Sequence, residues 1–264
     1  MMSSSVTAGW GTKESRLLVA MGAFFVGNAL LAEFIGVKIF SVERTFGLDP
    51  LNWTLFGVSG LSLNMTAGVL IWPIVFVMTD IVNEYYGIRG VKLLSWTAAA
   101  VIAYAYLVVW LAIWVMPADF WQVRETSEGT VPLNAAYRII FGQGAWIIVG
   151  SLIAFLIGQL VDAFTFHLLK HRTGEQFIWL RATGSTFVSQ LIDSFVVIFI
   201  AFYVGAGWDL KTVLAISSVN YIYKVVAAVL LTPLIYLGHW AIDAYLGVER
   251  SARLRQRAHS ESFG

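Results

Sequence analysis

Acidic and amide side chains recur at helical spacing inside apolar stretches of this sequence. Asp80 and Glu84 are four residues apart, so in a helix they share one face, with Asn83 beside them. Two carboxylates this close repel each other unless a cation, a proton or a ligand rich in hydrogen-bond donors lies between them. The spacing therefore predicts a binding site for such a partner. The alternative is structural, with Glu84 at a helix interface and Asp80 hydrogen-bonded to a neighbouring helix.

A second acidic pattern occurs twice, as Gln-Leu-Val-Asp-Ala-Phe at 159–164 and Gln-Leu-Ile-Asp-Ser-Phe at 190–195. The first copy lies near the end of one apolar segment and the second near the start of the next, and these segments would run antiparallel. Asp162 and Gln190 would then both lie about 6–9 Å inside one membrane boundary, at 1.5 Å of rise per residue. The first acidic pair would fall in the same half. The alternative is that Gln and Asp only hold neighbouring helices together.

Polar residues continue along two of these apolar segments. Thr186, Gln190 and Asp193 form one stripe of a helix, and two serines flank it. Asn220 and Lys224 are four residues apart in the last segment. Lys224 is the only basic residue well inside an apolar segment, so it is the natural counter-ion for one of the acids. A purely structural ion pair is the alternative.

The first apolar segment is polar at Asn28 and Glu33, and we expect Glu33 to form a salt bridge with Lys38 at the rim. Ionisable groups in spanning helices usually face the bundle interior and are functional. The predicted substrate-contacting residues are Asp80, Glu84, Gln159, Asp162, Gln190, Asp193 and Lys224. The predicted supporting residues are Asn28, Asn83, Arg181, Ser185, Thr186, Ser189 and Asn220.

The overall composition is that of a membrane protein. The chain has 264 residues, of which 58% are hydrophobic and 12% are charged, and its mean hydropathy is +0.75. An average soluble domain has about 25% charged residues, and a soluble globule of this size could not bury so much apolar surface. The composition excludes a disordered chain and a basic nucleic-acid binder, and the lack of cysteine excludes a disulfide scaffold. It predicts an all-α integral membrane protein.

Six segments satisfy the length of about 20 mostly apolar residues that a spanning helix needs. They are 17–40, 67–85, 91–116, 145–167, 185–205 and 213–238. We therefore predict a single six-helix transmembrane domain over 17–247, with tails at 1–16 and 248–264. With both termini in the cytoplasm, 11 of the 17 Lys and Arg residues lie on the cytoplasmic side, as the positive-inside rule requires.

The predicted connections differ in length and character. The segment 41–66 is long and rich in Gly, Ser and Asn, which fits a short hairpin or a re-entrant stretch, and 86–90 would be a tight turn. The polar segment 117–144 contains an expected amphipathic helix near 134–141. The segment 167–183 is basic, and the basic tail after Gly247 is expected to be frayed.

The sequence predicts no metal site and no cofactor. His167 and His171 are four residues apart but lie in a basic turn, and no HExxH or CxxC arrangement occurs. No phosphate-binding loop occurs either, which argues against an ATP-driven pump acting alone. Proton coupling, sodium coupling and facilitated diffusion stay open, and so does self-association into a homo-oligomer.

Five blocks, in order, resemble the queuosine precursor transporter family, earlier described as a vitamin uptake family. They cover nearly the whole chain, and they are GNALLAEFIGVK, IWPIVFVMTDIVNEYYG, IGQLVDAFTFHLLKHRTG, WLRATGSTFVSQLIDS and YIYKVVAAVLLTPLIY. Two features depart from the family pattern. Glu33 stands where a small or apolar residue is expected, and the connection 41–66 is longer.

The resemblance implies uptake of 7-cyano-7-deazaguanine or its 7-aminomethyl relative across a bacterial inner membrane, for the tRNA base queuosine. A carboxylate can accept the ring N1–H and the exocyclic amine together. The ring oxygen O6 needs a donor, which a Gln, an Asn or Lys224 can supply. The flat ring needs apolar walls, for which Phe164, Trp179 and Phe187 are candidates. One acid would read the guanine edge, and another would carry a proton that couples transport.

Two other functions stay open at this point. The chain could be the substrate-binding subunit of a multi-component vitamin or nucleobase importer, with separate motor subunits. It could also be an intramembrane enzyme that uses paired carboxylates, although neither Asp162 nor Asp193 lies in a recognisable protease motif. The resemblance favours a secondary transporter or facilitator, whose partners are a small molecule and the lipid bilayer rather than nucleic acid.

Overall fold

The computed structural model describes residues 11–127, 129–142, 144–173 and 178–260; the outer parts of the predicted tails, 1–10 and 261–264, lie outside this range. The α-helices, in chain order, are α1 (Lys13–Ile35), α2 (Val42–Thr45), α3 (Trp72–Trp114), α4 (Leu133–Phe141), α5 (Ala145–Thr173), α6 (Ile178–Ile198), α7 (Leu210–Leu246) and α8 (Val248–Ser260). The strands are β1 (Ile39–Ser41), β2 (Trp53–Leu55), β3 (Val58–Leu61), β4 (Asn64–Thr66), β5 (Val123–Thr126) and β6 (Gly129–Pro132). A π-helical stretch, Phe199–Val204, continues α6.

Among the described residues, five helices are long and apolar enough to cross a membrane, namely α1, α3, α5, α6 and α7. Their outward faces carry large apolar side chains. Trp114 is 75% exposed, and Trp96, Leu230 and Trp240 are also exposed. Hydrocarbon surroundings stabilise such a surface, whereas water does not. The membrane class that the composition predicts is therefore visible in the fold.

The longest helix, α3, is interrupted at Gly87 and folds back on itself. Gly87 has φ 65° and ψ −174°, a conformation that glycine adopts without the clash of a Cβ. A Cβ at residue 90 would lie 2.6 Å from that of Tyr86, whereas straight helix keeps such atoms about 5–6 Å apart. Trp72 and Tyr106 both lie near the last turn of α1, although straight helix would separate them by about 51 Å.

This turn lies in the connection that the sequence predicts over 86–90. Helical geometry is found on both sides of Gly87, and within α3 only that residue departs from it. Helix α3 therefore consists of two helical arms that meet at Gly87, where the sequence predicts the tight turn between the second and third spans.

The connection between α5 and α6 is shorter than the sequence predicts. Helix α5 continues to Thr173 and α6 begins at Ile178, so most of the predicted connection 167–183 is helical. Arg181 and Lys170 lie in these helices and are buried. The two cations pack inside the bundle because an acid on α3 compensates their charge.

Short antiparallel ribbons cover the end of the bundle opposite to the termini. Strand β1 pairs with β4, and β2 pairs with β3, so 41–66 forms hairpins rather than a re-entrant helix. Strands β5 and β6 form a third ribbon, and α4 confirms the amphipathic helix expected near 134–141.

Glu43 stabilises the connection 41–66, because its carboxylate accepts hydrogen bonds from the Leu63 N–H at 2.7 Å and the Ser41 hydroxyl at 2.9 Å. The fold is thus helical in its spans but not all-α in its connections.

The basic segment after Gly247 is not frayed over the described residues, since α8 packs against α3. Ser251, Leu254 and Ala258 share the face that turns inward. Arg255 contributes a guanidinium that lies 3.2 Å from the Tyr85 hydroxyl and 5.4 Å from the ring centroid of that tyrosine. These contacts give α8 enough buried surface to remain helical.

Candidate functional site

A cavity of about 430 Å³ lies between α1, α3, α5, α6 and α7. It begins beside the connections at the ribbon-covered end, where Val37 and Thr66 contribute to its wall, and it extends inward to Asp80. Its volume falls within the range of about 300–1,000 Å³ that is usual for small-ligand pockets. A fused two-ring base and its substituent can be enclosed in this space.

Helix α6 contributes one continuous face to the cavity wall. Thr186, Gln190 and Asp193, the stripe that the spacing predicts, all lie on this face. Positions three or four residues apart stack on one side of a helix, which is why these side chains reach the same space. The stripe therefore presents a hydroxyl, an amide and a carboxylate along about 10 Å of the wall.

The inner end of the cavity brings two of the predicted acids together. The carboxyl groups of Asp80 on α3 and Asp162 on α5 face each other and interact electrostatically. The Ser185 hydroxyl lies 3.5 Å from Asp80 Oδ1, and the Ser189 hydroxyl donates to Asp162 Oδ1 at 2.9 Å. Asp80 lines the cavity, whereas Asp162 is fully buried behind it. The repulsion between facing carboxylates is relieved by a proton, a cation or a ligand donor between them.

The two predicted amides retain hydrogen-bonding capacity. Gln190 is 3% exposed and lines the cavity, and its Nε2 has no hydrogen-bond partner among the described residues. Gln159 lies behind the wall, where its Oε1 accepts a hydrogen bond from the Thr79 hydroxyl at 2.5 Å, while its Nε2 likewise has no partner in the described part of the chain. A buried donor without a partner costs about 1–3 kcal/mol. Gln190 can recover this cost by donating to a ligand in the cavity.

The outer part of the cavity contains an ion pair and a further acid. Lys224 on α7 pairs with Asp193 on α6, and both side chains are about one-sixth exposed. Glu33 on α1 also lines the cavity, and its carboxylate accepts hydrogen bonds from the hydroxyls of Ser151 and Tyr106. The prediction that Lys224 neutralises one of the acids is thus confirmed as a contact.

The predicted rim salt bridge between Glu33 and Lys38 is wrong. Glu33 is 7% exposed and turns toward the cavity, whereas Lys38 lies beyond the end of α1 and is exposed. The five-residue separation spans the end of the helix at Ile35, so helical periodicity no longer relates the two positions. The residues that do contact Glu33 lie on α3 and α5, too far along the chain for spacing to reveal them.

Aromatic rings form the apolar part of the cavity wall, but they are not the ones predicted. The Trp72 ring lies 5.4 Å from that of Phe155 and 6.4 Å from that of Phe76, and all three line the cavity. The predicted walls are wrong, because Phe164 is 64% exposed and Trp179 is 47% exposed on the outer surface. Phe187 is partly buried and also lies outside the lining. Sequence proximity to polar residues does not decide which face of the helix an aromatic ring occupies.

Glu84 lies apart from the cavity in a closed cluster of charge. Its carboxylate accepts from Lys170 Nζ at 2.9 Å and lies 3.3 Å from Arg181 Nη2. All three side chains are at most 3% exposed. The Arg181 guanidinium also lies 5.6 Å from the ring centroid of Phe166. Glu84 therefore shares a helix face with Asp80 but meets two cations instead of another acid.

Some of the remaining predicted supporting residues contribute to the cavity or support its acids, and the others make contacts elsewhere in the bundle. Asn28 and Asn220 donate from Nδ2 to carbonyls of their own helices, at 2.7 Å and 3.0 Å, and only Asn220 lines the cavity. Asn83 donates to the Ala163 carbonyl on α5 at 3.1 Å, which joins two helices. Thr186 lines the cavity, and the two serines support the acids at its inner end.

Sequence reasoning missed four residues that complete these clusters. Ser151 and Tyr106 hold Glu33, and Lys170 holds Glu84. Lys170 follows the predicted span closely, but the sequence predicts a basic connection there rather than a buried helix. Trp72 carried no signal beyond its position in an apolar run.

Comparison with known proteins identifies the family. Residues 66–238 match the family model described as "Putative vitamin uptake transporter". The chain belongs to this family. The matched part contains every charged residue of the cavity wall except Glu33.

Two curated proteins are similar to the chain. One, from Bacillus subtilis (strain 168), is 27% identical over 178 residues, which cover 66% of this chain and 71% of the relative. The other, from Haemophilus influenzae, is 25% identical over 198 residues, covering 75% and 77%. Both are named "Probable queuosine precursor transporter". No solved structure gives a significant match.

Family membership agrees with the fold. The five long apolar helices make the chain a multi-pass membrane protein, and a transporter of this family fits the bacterial inner membrane. The queuosine precursor transporter family predicted from five sequence blocks is confirmed by these matches.

Proposed function

We propose that the chain imports 7-deazaguanine precursors of queuosine across the bacterial inner membrane, as a secondary transporter or facilitator. One observation supports this assignment above the others: an acid, Asp80, and an amide without a partner, Gln190, line the same aromatic-walled cavity. A guanine-type edge presents donors and an acceptor side by side. Such an edge matches a carboxylate beside an amide donor.

The binding arrangement follows from these groups. The carboxylate of Asp80 accepts hydrogen bonds from the ring N1–H and the exocyclic amine, and the Gln190 amide donates to O6. The ring stacks against the wall formed by Trp72, Phe76 and Phe155, where aromatic contact adds about 0.5–1.5 kcal/mol to the free energy of apolar burial. Thr186 and Asn220 supply further polar contacts.

Proton coupling has a natural position behind this site. Asp162 faces Asp80 from α5 and has an Oδ2 without a partner among the described residues. When Asp162 holds a proton, the repulsion between the two groups is relieved and the carboxylate of Asp80 can still accept hydrogen bonds from the base. The base and the proton are then bound together at one pair of residues, as import driven by an inward proton gradient requires.

The proposed topology has six crossings with both termini in the cytoplasm. The two arms of α3, which meet at Gly87, supply the second and third crossings. The basic residues then lie mainly on the inner side, and the cavity mouth beside Val37 and Thr66 faces outward. Glu84 with its two cations closes the bundle between the cavity and the cytoplasm.

Complementation in living cells tests the function. The chain is expressed in bacteria that can neither synthesise the precursors nor import them, and 7-cyano- or 7-aminomethyl-7-deazaguanine is added to the medium. Restoration of queuosine in tRNA is the expected result. If well-expressed protein restored none, the proposed substrate would be wrong.

The same experiment separates a transporter from a subunit of a larger importer. The host is chosen to lack any candidate motor subunit, so uptake by the chain alone supports a self-sufficient transporter. Uptake only after adding motor subunits from the native organism would favour the multi-component importer. Dissipating the proton gradient, and separately the sodium gradient, then identifies the coupling ion or indicates facilitated diffusion.

A further inference from the structure

The wall of the cavity carries more acid than base. Among its described residues, Glu33, Asp80 and Asp193 are acidic, and only Lys224 is basic. Lys224 already pairs with Asp193. If Asp80 reads the guanine edge, Glu33 is the acid that lies nearest the mouth and has no role in the proposed contacts. An excess of negative charge in a low-dielectric cavity favours a ligand that carries positive charge.

Glu33 is oriented for this purpose by its neighbours. The hydroxyls of Ser151 and Tyr106 donate to different oxygens of the carboxyl group. Both hydroxyls are neutral donors, so these two contacts orient the carboxylate and bring no positive charge of their own. Glu33 is 7% exposed, yet its side chain contributes to the cavity wall. A buried acid held in this way strengthens a contact with a cation, because water competes little there.

The position of Glu33 in α1 adds to its effect. Helix α1 ends at Ile35, so Glu33 lies in the last turn. The last carbonyl groups of a helix form the negative end of its dipole, which favours a cation by about 0.3–1 kcal/mol. Asp193 also interacts electrostatically with Glu33 across the cavity. The outer part of the cavity therefore keeps a net negative charge, since Glu33 and Asp193 face one cation, Lys224, among its described residues.

The distance between the two ends of the cavity matches the length of a 7-aminomethyl-7-deazaguanine. Ser185 marks the level of Asp80 on α6, and Asp193 marks the level of the outer acids. The eight residues between these positions correspond to about 12 Å along the helix. A two-ring base with a one-carbon amine arm, together with the hydrogen bonds at its two ends, can bridge this span.

We propose that Glu33 is a specificity residue, which binds a cationic amine on the 7-substituent of the base. The chain then prefers the 7-aminomethyl precursor to the neutral 7-cyano precursor. This inference rests on the proposed function and extends it to the second end of the ligand. Glu33 ranks the substrates, whereas Asp80 and Gln190 recognise the base that they share.

Competition for uptake tests this proposal. Three compounds compete with labelled 7-aminomethyl-7-deazaguanine: the unlabelled compound, its 7-cyano relative, and a 7-hydroxymethyl analogue of nearly the same size but without charge. In the wild type, we expect the aminomethyl compound to bind about tenfold more tightly than the hydroxymethyl analogue, since a hydrogen bond between charged groups is worth at least that factor. Equal affinities in the wild type would overturn the proposal without any variant.

The Glu33→Gln variant should abolish most of this preference, because the amine loses its anionic partner whereas the neutral compounds lose no charged contact. Glu33→Asp, which keeps the charge, should restore part of the preference. Glu125→Gln is the matched control, because Glu125 is an exposed acid on β5 and lies outside the cavity. A preference that is unchanged in Glu33→Gln would contradict the role of this residue.

The outcomes also separate this inference from the proposed function. If none of the three compounds is taken up by the wild type, the proposed function itself fails. If all three are taken up with similar affinity, the function stands and only the role of Glu33 fails. If Glu33→Gln does not reach the membrane, the comparison of aminomethyl and hydroxymethyl compounds in the wild type still decides the proposal.

Discussion

Asp80 and Glu84 lie one helical turn apart on α3, but their surroundings differ. Glu84 meets Lys170 and Arg181 in a cluster that is almost completely buried. Asp80 meets a second acid, Asp162, and lines a cavity. The charge of Glu84 is compensated by the protein, whereas the charge of Asp80 is left for a proton or a ligand to compensate. Of the two acids on α3, the one that the protein does not neutralise is therefore the candidate binding residue.

Removing Glu84 should have the largest effect on folding. In Glu84→Ala, Lys170 and Arg181 remain buried without their acid, and breaking a buried pair in this way costs about 3–5 kcal/mol. We expect a marked fall in the melting temperature of the purified protein in detergent and in the yield of folded protein. A melting temperature equal to that of the wild type would show that the closed cluster does not stabilise the fold.

Breaking the cavity ion pair of Lys224 and Asp193 should affect the stability of the fold much less. In Lys224→Gln, Asp193 loses its cation, but the pair is partly exposed to the cavity, so solvation reduces the cost to the fold. We expect a small change in melting temperature and no loss of affinity for the cationic aminomethyl compound, because the freed carboxylate of Asp193 adds negative charge to the cavity wall. Lys170→Gln is the matched control on the closed cluster, where the melting temperature should fall much more. Similar melting temperatures for the two variants would remove the distinction between the regions.

Gln190 should have a smaller effect, confined to substrate affinity. Its Nε2 has no partner among the described residues, so Gln190→Ala removes no protein hydrogen bond made by that group. Loss of one neutral hydrogen bond to O6 corresponds to about 0.5–1.5 kcal/mol, which raises the KM for uptake several-fold at unchanged protein level. An unaltered KM would exclude Gln190 from the binding site.

Asp209 provides the smallest expected effect, since it belongs to neither region. It caps α7, and hydrogen bonds from the Thr212 hydroxyl and backbone N–H lower the pKa of Asp209 below its usual value. Because the folded-state pKa is the lower one, the stabilisation is complete above the unfolded pKa of about 3.9 and is lost as the pH falls through the folded pKa. Asp209→Ala should lower the melting temperature slightly at pH 7, with normal uptake, and the difference should shrink below about pH 4. A difference that grows toward low pH would contradict this account of the cap.

The sequence predicted the polar face of α6 that lines the cavity better than it predicted the contacts between helices around that cavity. The stripe of Thr186, Gln190 and Asp193 was readable because helical periodicity alone determines which residues share a face. The partners of Glu33 and Glu84 were not readable, because they lie on other helices and depend on how the bundle packs. The turn at Gly87 was readable within the predicted connection 86–90, because glycine adopts positive φ without the clash of a Cβ.

Direct binding of 7-aminomethyl-7-deazaguanine to the purified protein tests the central claim, that Asp80 reads the guanine edge in this cavity. Asp80→Asn is nearly isosteric and removes the repulsion with Asp162, so the folded protein should keep its melting temperature. Calorimetric titration should then show an affinity at least tenfold weaker than in the wild type, as expected for the loss of a charge-assisted contact. Undiminished affinity in a folded Asp80→Asn protein would contradict the assignment of the site.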